Sequence, residues 1–144
     1  MVLDSSALVA ILSREPDADT FAAAVLAAPA RLVGAPSYLE TVMVLVDRLG
    51  PAARGAVDQL ISGMGMEVVP FTPDQARSAT EAFLRYGKGR HPAGLNFGNC
   101  CSYALVAESG LPLLFKGDDF SHTDIGSALA RKVNAPAPPR PLRP

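Results

Sequence analysis

Three observations predict an α/β fold with a mostly parallel central sheet flanked by helices. Short apolar runs bounded by turn residues recur at residues 1–3, 31–35, 67–71 and 111–115, and read as buried strands. The stretches between them place apolar residues three and four apart, as one face of a helix requires. The two kinds of segment alternate along 144 residues of which 49% are hydrophobic, enough for one domain with a real core.

Each element follows from local chemistry. The opening strand stops at Asp4, and Ser5 begins a helix whose Leu8, Ile11 and Leu12 share a face. Asp17 can cap a second helix through Phe21, Val25 and Leu26, which Pro29 ends. Pro36-Ser37 opens a third helix that runs to Gly50-Pro51, and a fourth fits residues 52–61. Pro73-Asp74 starts a fifth, with Ala76, Ala79 and Phe83. Residues 86–94, rich in glycine and positive charge, form a loop, and Asn96-Phe97-Gly98-Asn99 leads into a helix over residues 100–108 that Gly110 and Pro112 stop. Residues 123–125 suit a last short strand or turn. The proline-rich stretch 134–144 lacks any core-forming pattern and is expected to be disordered, so the domain spans residues 1–126 and residues 127–144 are a C-terminal extension.

Composition excludes several classes. A net charge of -1 and a pI near 6.1 argue against a generally basic nucleic-acid coat and leave room only for a local basic patch. Cys100 and Cys101 are adjacent, where a mutual bridge is strained, so no disulfide framework is expected and a reducing cytoplasm is the natural setting. The N-terminus lacks the basic segment of a signal peptide, and no apolar run approaches the roughly 18 residues of a membrane span. A soluble protein without membrane contact follows.

Four polar positions stand out by placement. Asp4 follows the first strand, Glu40 lies early in the third helix, Asn99 starts a late helix and Asp118 follows the last apolar strand. Parallel strands bring their carboxyl ends to one sheet edge, where ligands of open α/β folds collect. Clustered carboxylates repel unless a cation neutralises them, and oxygen donors without His or Cys favour Mg²⁺ or Mn²⁺. Such a site suits metal-assisted phosphodiester hydrolysis. Each position also has a purely structural explanation: Asp4 or Ser5 as a helix cap, Ser37 with Glu40 as a capping box, Asn99 as an N-cap, and Asp118 with Asp119 as a turn.

Asp4-Ser5-Ser6-Ala7, Ser37-Tyr38-Leu39-Glu40, the run from Gly87 to Gly98, the segment from Cys100 to Leu105, and Leu113-Leu114-Phe115-Lys116-Gly117-Asp118-Asp119-Phe120 together resemble the VapC toxins of the PIN-domain superfamily. The resemblance covers residues 1–126 and implies a PIN-like three-layer sandwich. It further implies a Mg²⁺-dependent endoribonuclease toxin that cleaves structured RNA such as tRNA or rRNA, is restrained by a cognate VapB antitoxin and forms a homodimer. Asp4, Glu40 and Asp118 match the family's acidic positions, with Asp119 and Ser6 as secondary candidates. The family pattern has Asp after Phe-Gly, where this chain has Asn99. An amide oxygen can ligate a cation but brings no charge and cannot act as a base. Metal affinity and turnover are therefore expected to fall, whether Asn99 was introduced or is natural.

Lys88, Arg90 and His91 precede the Asn99 helix and Lys116 follows the last strand, so these four are the expected contacts to RNA phosphates. His122 is assigned a structural role, as are the two cysteines, one buried and one intermediate. Val42, Met43, Val46 and Leu49 form an apolar stripe that suits the core, a dimer partner or an antitoxin helix. Two other readings remain. One is a catalytically inactive PIN-fold module that binds RNA or antitoxin. The other, ranked lower, is a phosphoacceptor domain built on Asp4, which lacks the acidic pair such a site needs beside the first strand.

Overall fold

The computed structural model describes residues 1–129. The expectation of a disordered tail falls on residues outside that range. A four-stranded sheet, all parallel, runs in the order β3-β2-β1-β4, with β1 at Val2–Leu3, β2 at Leu32–Gly34, β3 at Glu67–Val69 and β4 at Leu113–Leu114. Between successive strands lie helix pairs: α1 (Ser5–Leu12) and α2 (Ala18–Ala27), α3 (Ala35–Leu49) and α4 (Ala53–Gly63), then α5 (Pro73–Tyr86) and α6 (Phe97–Ser109). The fold is the three-layer α/β sandwich expected of a PIN-like domain.

Strands of two or three residues make few ladder bonds, so packing on both faces holds the sheet. Alternation along each strand divides the core. Leu3, Val33 and Leu114 meet Leu8, Val25, Leu45 and Val57 of α1 to α4 on one face. Val2 and Leu113 meet Ala82, Tyr86, Cys100, Ala104 and Leu105 of α5 and α6, with Phe120, on the other. Leu3, Leu8, Leu45, Leu113 and Leu114 are almost fully buried, each contributing about 1.5–3 kcal/mol of transfer free energy.

Two boundaries differ from the sequence expectation. Gly34 is the N-cap of α3 and Pro36 sits in its first turn, so the helix starts before Ser37. Asn96 caps α6, which begins at Phe97 rather than at Cys100. After β4 the chain forms a short 3-10 helix at Asp119–His122; residues 123–125 take the turn rather than the strand of the two alternatives expected, and the chain returns to the sheet as a single bridge between Leu113 and Ser127. Cys100 and Cys101 are both buried and both free.

Candidate active site

The carboxyl ends of β1 and β2 and the start of α6 converge on Asp4. Asp4 ends β1, where its backbone N–H donates to Leu114 O at 3.0 Å, and its side chain caps α1 by accepting from Ser6 N at 3.1 Å. The capping explanation thus holds, yet it uses only Oδ2. That oxygen also accepts from the Ser6 hydroxyl at 2.6 Å, while Oδ1 accepts from the Ser102 hydroxyl at 2.7 Å. Asp4 is 3% exposed.

Glu40 is not a capping residue. With α3 starting at Ala35, Ser37 lies inside the helix, and its hydroxyl meets Ser102 at 3.2 Å instead of a backbone amide. Glu40 lies one turn further on and faces Asp4. Its carboxyl is held above the usual carboxylate range first by burial and then by the negative charge of Asp4, with the Ser5 hydroxyl opposing both. Neither Asp4 nor Glu40 forms an ion pair with a basic side chain among the described residues.

Asn99 occupies the third position of α6 and completes a reciprocal capping box with Asn96. Asn99 N donates to Asn96 Oδ1 at 2.9 Å, and Asn96 N donates to Asn99 Oδ1 at 3.1 Å. Its amide oxygen is therefore already engaged. Asp118 and Asp119 are exposed, four and five residues beyond β4. Among the described residues no group of three or more His, Cys, Asp or Glu side chains is placed to hold one ion. Ser6 has a part that spacing did not suggest: its hydroxyl accepts from Lys116 N at 3.0 Å while donating to Asp4, tying the β4 exit to the carboxylate.

The basic candidates separate into two kinds. Lys88 and Arg90 are exposed, with the Arg90 guanidinium 5.3 Å from the centre of the Phe83 ring. Lys116 is engaged elsewhere, pairing with Glu15 and lying 3.4 Å from Asp17. His91 holds its own loop, its Nδ1 accepting from Ala93 N at 3.1 Å and its ring edge-on to Tyr86 at 5.1 Å. His122 is exposed at the end of the 3-10 helix. Ser102 was missed by sequence reading. The available signal was its position three residues after Asn99, on the same face of a helix otherwise apolar toward the sheet.

Beside Glu40 opens an apolar groove of about 770 Å³, walled by Pro36, Leu39, Met43, Phe71 and Phe97. Leu39, Met43 and Phe97 are 57%, 59% and 77% exposed. The core face of α3 is carried instead by Ser37, Thr41 and Leu45, so Met43 and Leu49 of the expected stripe point outward. No helix among the described residues is long and apolar enough to cross a membrane.

Two oxygen-donor carboxylates that repel each other, with neutral hydroxyl and amide groups around them, fit a hard divalent cation. Mg²⁺ commonly takes one or two protein carboxylates and keeps several waters.

A PIN-domain family model matches residues 1–126. Ribonuclease VapC30 of Mycobacterium tuberculosis is 51% identical over 127 residues, covering 88% of this chain and 97% of that protein. Ribonuclease VapC of Mycolicibacterium smegmatis is 48% identical over 127 residues, covering 88% and 98%. Among solved structures, Mycobacterium tuberculosis VapC20, described as a Sarcin-Ricin loop cleaving toxin, superposes with a TM-score of 0.72 at 19% identity, covering 86% of this chain and 95% of that one.

Proposed function

Because the chain belongs to the PIN-domain family of VapC-type ribonuclease toxins, we propose that it is a Mg²⁺-dependent endoribonuclease acting on structured RNA, attenuated by Asn99. The observation that carries this reading is the buried Asp4 beside Glu40 at the sheet edge, a pair of like charges that no basic side chain among the described residues neutralises. Asp4 and Glu40 would hold Mg²⁺, with Mn²⁺ as a substitute and Asp118 or Asp119 as a further candidate ligand. When bound, the ion supplies polarisation of a phosphoryl oxygen and a lowered pKa for the attacking water. The chain's own residues do the rest: Ser6 and the Asp4 backbone keep the first carboxylate at the strand end, and the exposed Lys88 and Arg90 bind backbone phosphates. His91 orders that loop. Lys116, occupied by Glu15 and Asp17, is left out of the phosphate-binding set.

The partners implied are a VapB-type antitoxin and a second copy of the chain, for which exposed Leu39, Met43 and Phe97 offer apolar surface. The free, buried cysteines suit a cytoplasmic setting. The test is cleavage of a total tRNA and rRNA pool, with and without Mg²⁺, by the unsubstituted chain and by Asn99→Asp, each free of antitoxin. Mg²⁺-dependent cleavage that strengthens in Asn99→Asp supports the reading. Equal activity in the two forms removes the role given to Asn99.

A second reading rests on the uncharged Asn99 amide, whose oxygen already accepts from Asn96 N. On that reading the fold binds RNA or antitoxin without cleaving. RNA binding in the absence of Mg²⁺, with no cleavage by either form in its presence, selects it.

A further inference from the structure

Ser102 is 2% exposed and lies on α6 one turn beyond Asn99. A buried hydroxyl inside a helix ordinarily bonds back to the carbonyl four residues earlier, as Thr41 does to Ser37 O at 2.7 Å. Ser102 instead donates to Asp4 Oδ1 at 2.7 Å, across 98 residues of sequence. With its one proton committed there, the 3.2 Å contact between the Ser37 and Ser102 hydroxyls runs from Ser37 as donor to Ser102 as acceptor. A buried relay, Ser37 to Ser102 to Asp4, therefore joins α3, α6 and the end of β1, the three elements that carry Glu40, Asn99 and Asp4.

The relay also distinguishes the two oxygens of Asp4. A carboxylate offers about two acceptor positions on each oxygen. Among the described residues Oδ2 receives two donors, the amide and the hydroxyl of Ser6, whereas Oδ1 receives only Ser102. The free acceptor position thus lies on Oδ1, and Ser102 is the group that fixes where it points.

We propose that Ser102, backed by Ser37, is a positioning residue that aims Asp4 Oδ1 at the cation site, so that these two buried hydroxyls set divalent-metal affinity. This rests on the metal-dependent reading above. Groups that hydrogen-bond a metal's protein ligands typically change affinity by about 10- to 100-fold when removed. Ser37, one step further from Asp4, acts only by orienting and polarising Ser102, so its removal has a smaller effect.

The experiment is a Mn²⁺ titration of the full chain, following free Mn²⁺ by electron paramagnetic resonance, for the unsubstituted protein, Ser102→Ala, Ser102→Cys and Ser37→Ala. Cysteine fills nearly the same space with a poor donor, so Ser102→Cys decides the matter should the alanine variant lose its fold. The expected result is Mn²⁺ binding at least tenfold weaker in Ser102→Ala and Ser102→Cys, and about two- to threefold weaker in Ser37→Ala, with circular dichroism unchanged. Unaltered Mn²⁺ affinity in a folded Ser102→Cys protein overturns the inference and leaves the metal site standing. Absence of Mn²⁺ binding by the unsubstituted chain is a different outcome, one that overturns the metal-dependent reading and this inference with it.

Discussion

Gly98 leaves empty the space that the Glu40 carboxylate fills: a Cβ built on Gly98 would overlap Oε2. Glycine near a helix start costs conformational entropy, and here it lets a side chain from α3 lie against the backbone of α6. In Gly98→Ala the flexible Glu40 side chain swings aside while the helix gains propensity. Melting temperature should hold or rise slightly while Mn²⁺ affinity falls about tenfold. Calorimetry and metal titration on the same sample check both halves.

Asn99→Asp should restore charge without harming the fold. An Asp oxygen can accept from Asn96 N as the amide does, and a negative charge near a helix N-terminus is favourable by about 0.3–1 kcal/mol. Coulomb's law puts a unit charge about 4 Å from a cation at roughly 4 kcal/mol for an effective dielectric near 20, before solvation reduces it. Mg²⁺-dependent cleavage should rise at least about tenfold, a conservative share of that energy. The variant should also show a larger Mg²⁺-induced rise in melting temperature, read by thermal melts with Mg²⁺ and with EDTA.

The pH dependence of stability should carry the mark of Glu40. Its carboxyl is raised above the ordinary value of 4.5 by burial and by Asp4, so folding favours the protonated form. The associated stability is present below the ordinary value and is lost as pH rises through the raised one. In metal-free buffer Glu40→Gln should therefore melt higher than the unsubstituted chain at neutral pH, with the difference shrinking as pH falls through the raised value and gone below 4.5. Mg²⁺ should raise the melting temperature of the unsubstituted chain and leave that of Glu40→Gln nearly unchanged. A pH series of thermal melts tests the sign.

Lys88 and Arg90 should govern the salt dependence of RNA binding. For a single-stranded segment, each phosphate that is no longer neutralised by a cationic side chain reduces the slope of log affinity against log salt by about 0.7, so the double alanine variant should be shallower by about 1.4. Lys116→Ala should leave the slope unaltered, because its ammonium serves Glu15 and Asp17. Binding isotherms at several salt concentrations, in EDTA to prevent cleavage, separate the two.

Two capping boxes show how far the residues alone could be read. Ser37-Tyr38-Leu39-Glu40 has the expected residue types, yet Gly34 and Pro36 start the helix earlier and free both side chains for tertiary contacts. Asn96-Phe97-Gly98-Asn99 lacks the usual Ser or Thr with Glu or Gln, and it is the one that forms. Local pattern fixes where a helix is possible; which side chain caps it depends on what else competes for that side chain. The alternation of apolar runs was enough for the parallel sheet, and a strand-end carboxylate was enough to single out Asp4. The Ser102 relay was not legible, because a serine among buried residues looks the same whether it bonds its own helix or a residue 98 positions away.

The pairing of β1 with β4 has a consequence for synthesis. Asp4 is made long before residues 114–116, but its backbone N–H donates to Leu114 O and its carboxylate is tied through Ser6 to Lys116 N. The strand beside it, β1, is made before β4 and waits for it to close the sheet, at about 5–20 residues per second. A nascent chain that has not yet reached residues 114–116 lacks these bonds. The candidate site is thus left unfinished until the domain is almost entirely built.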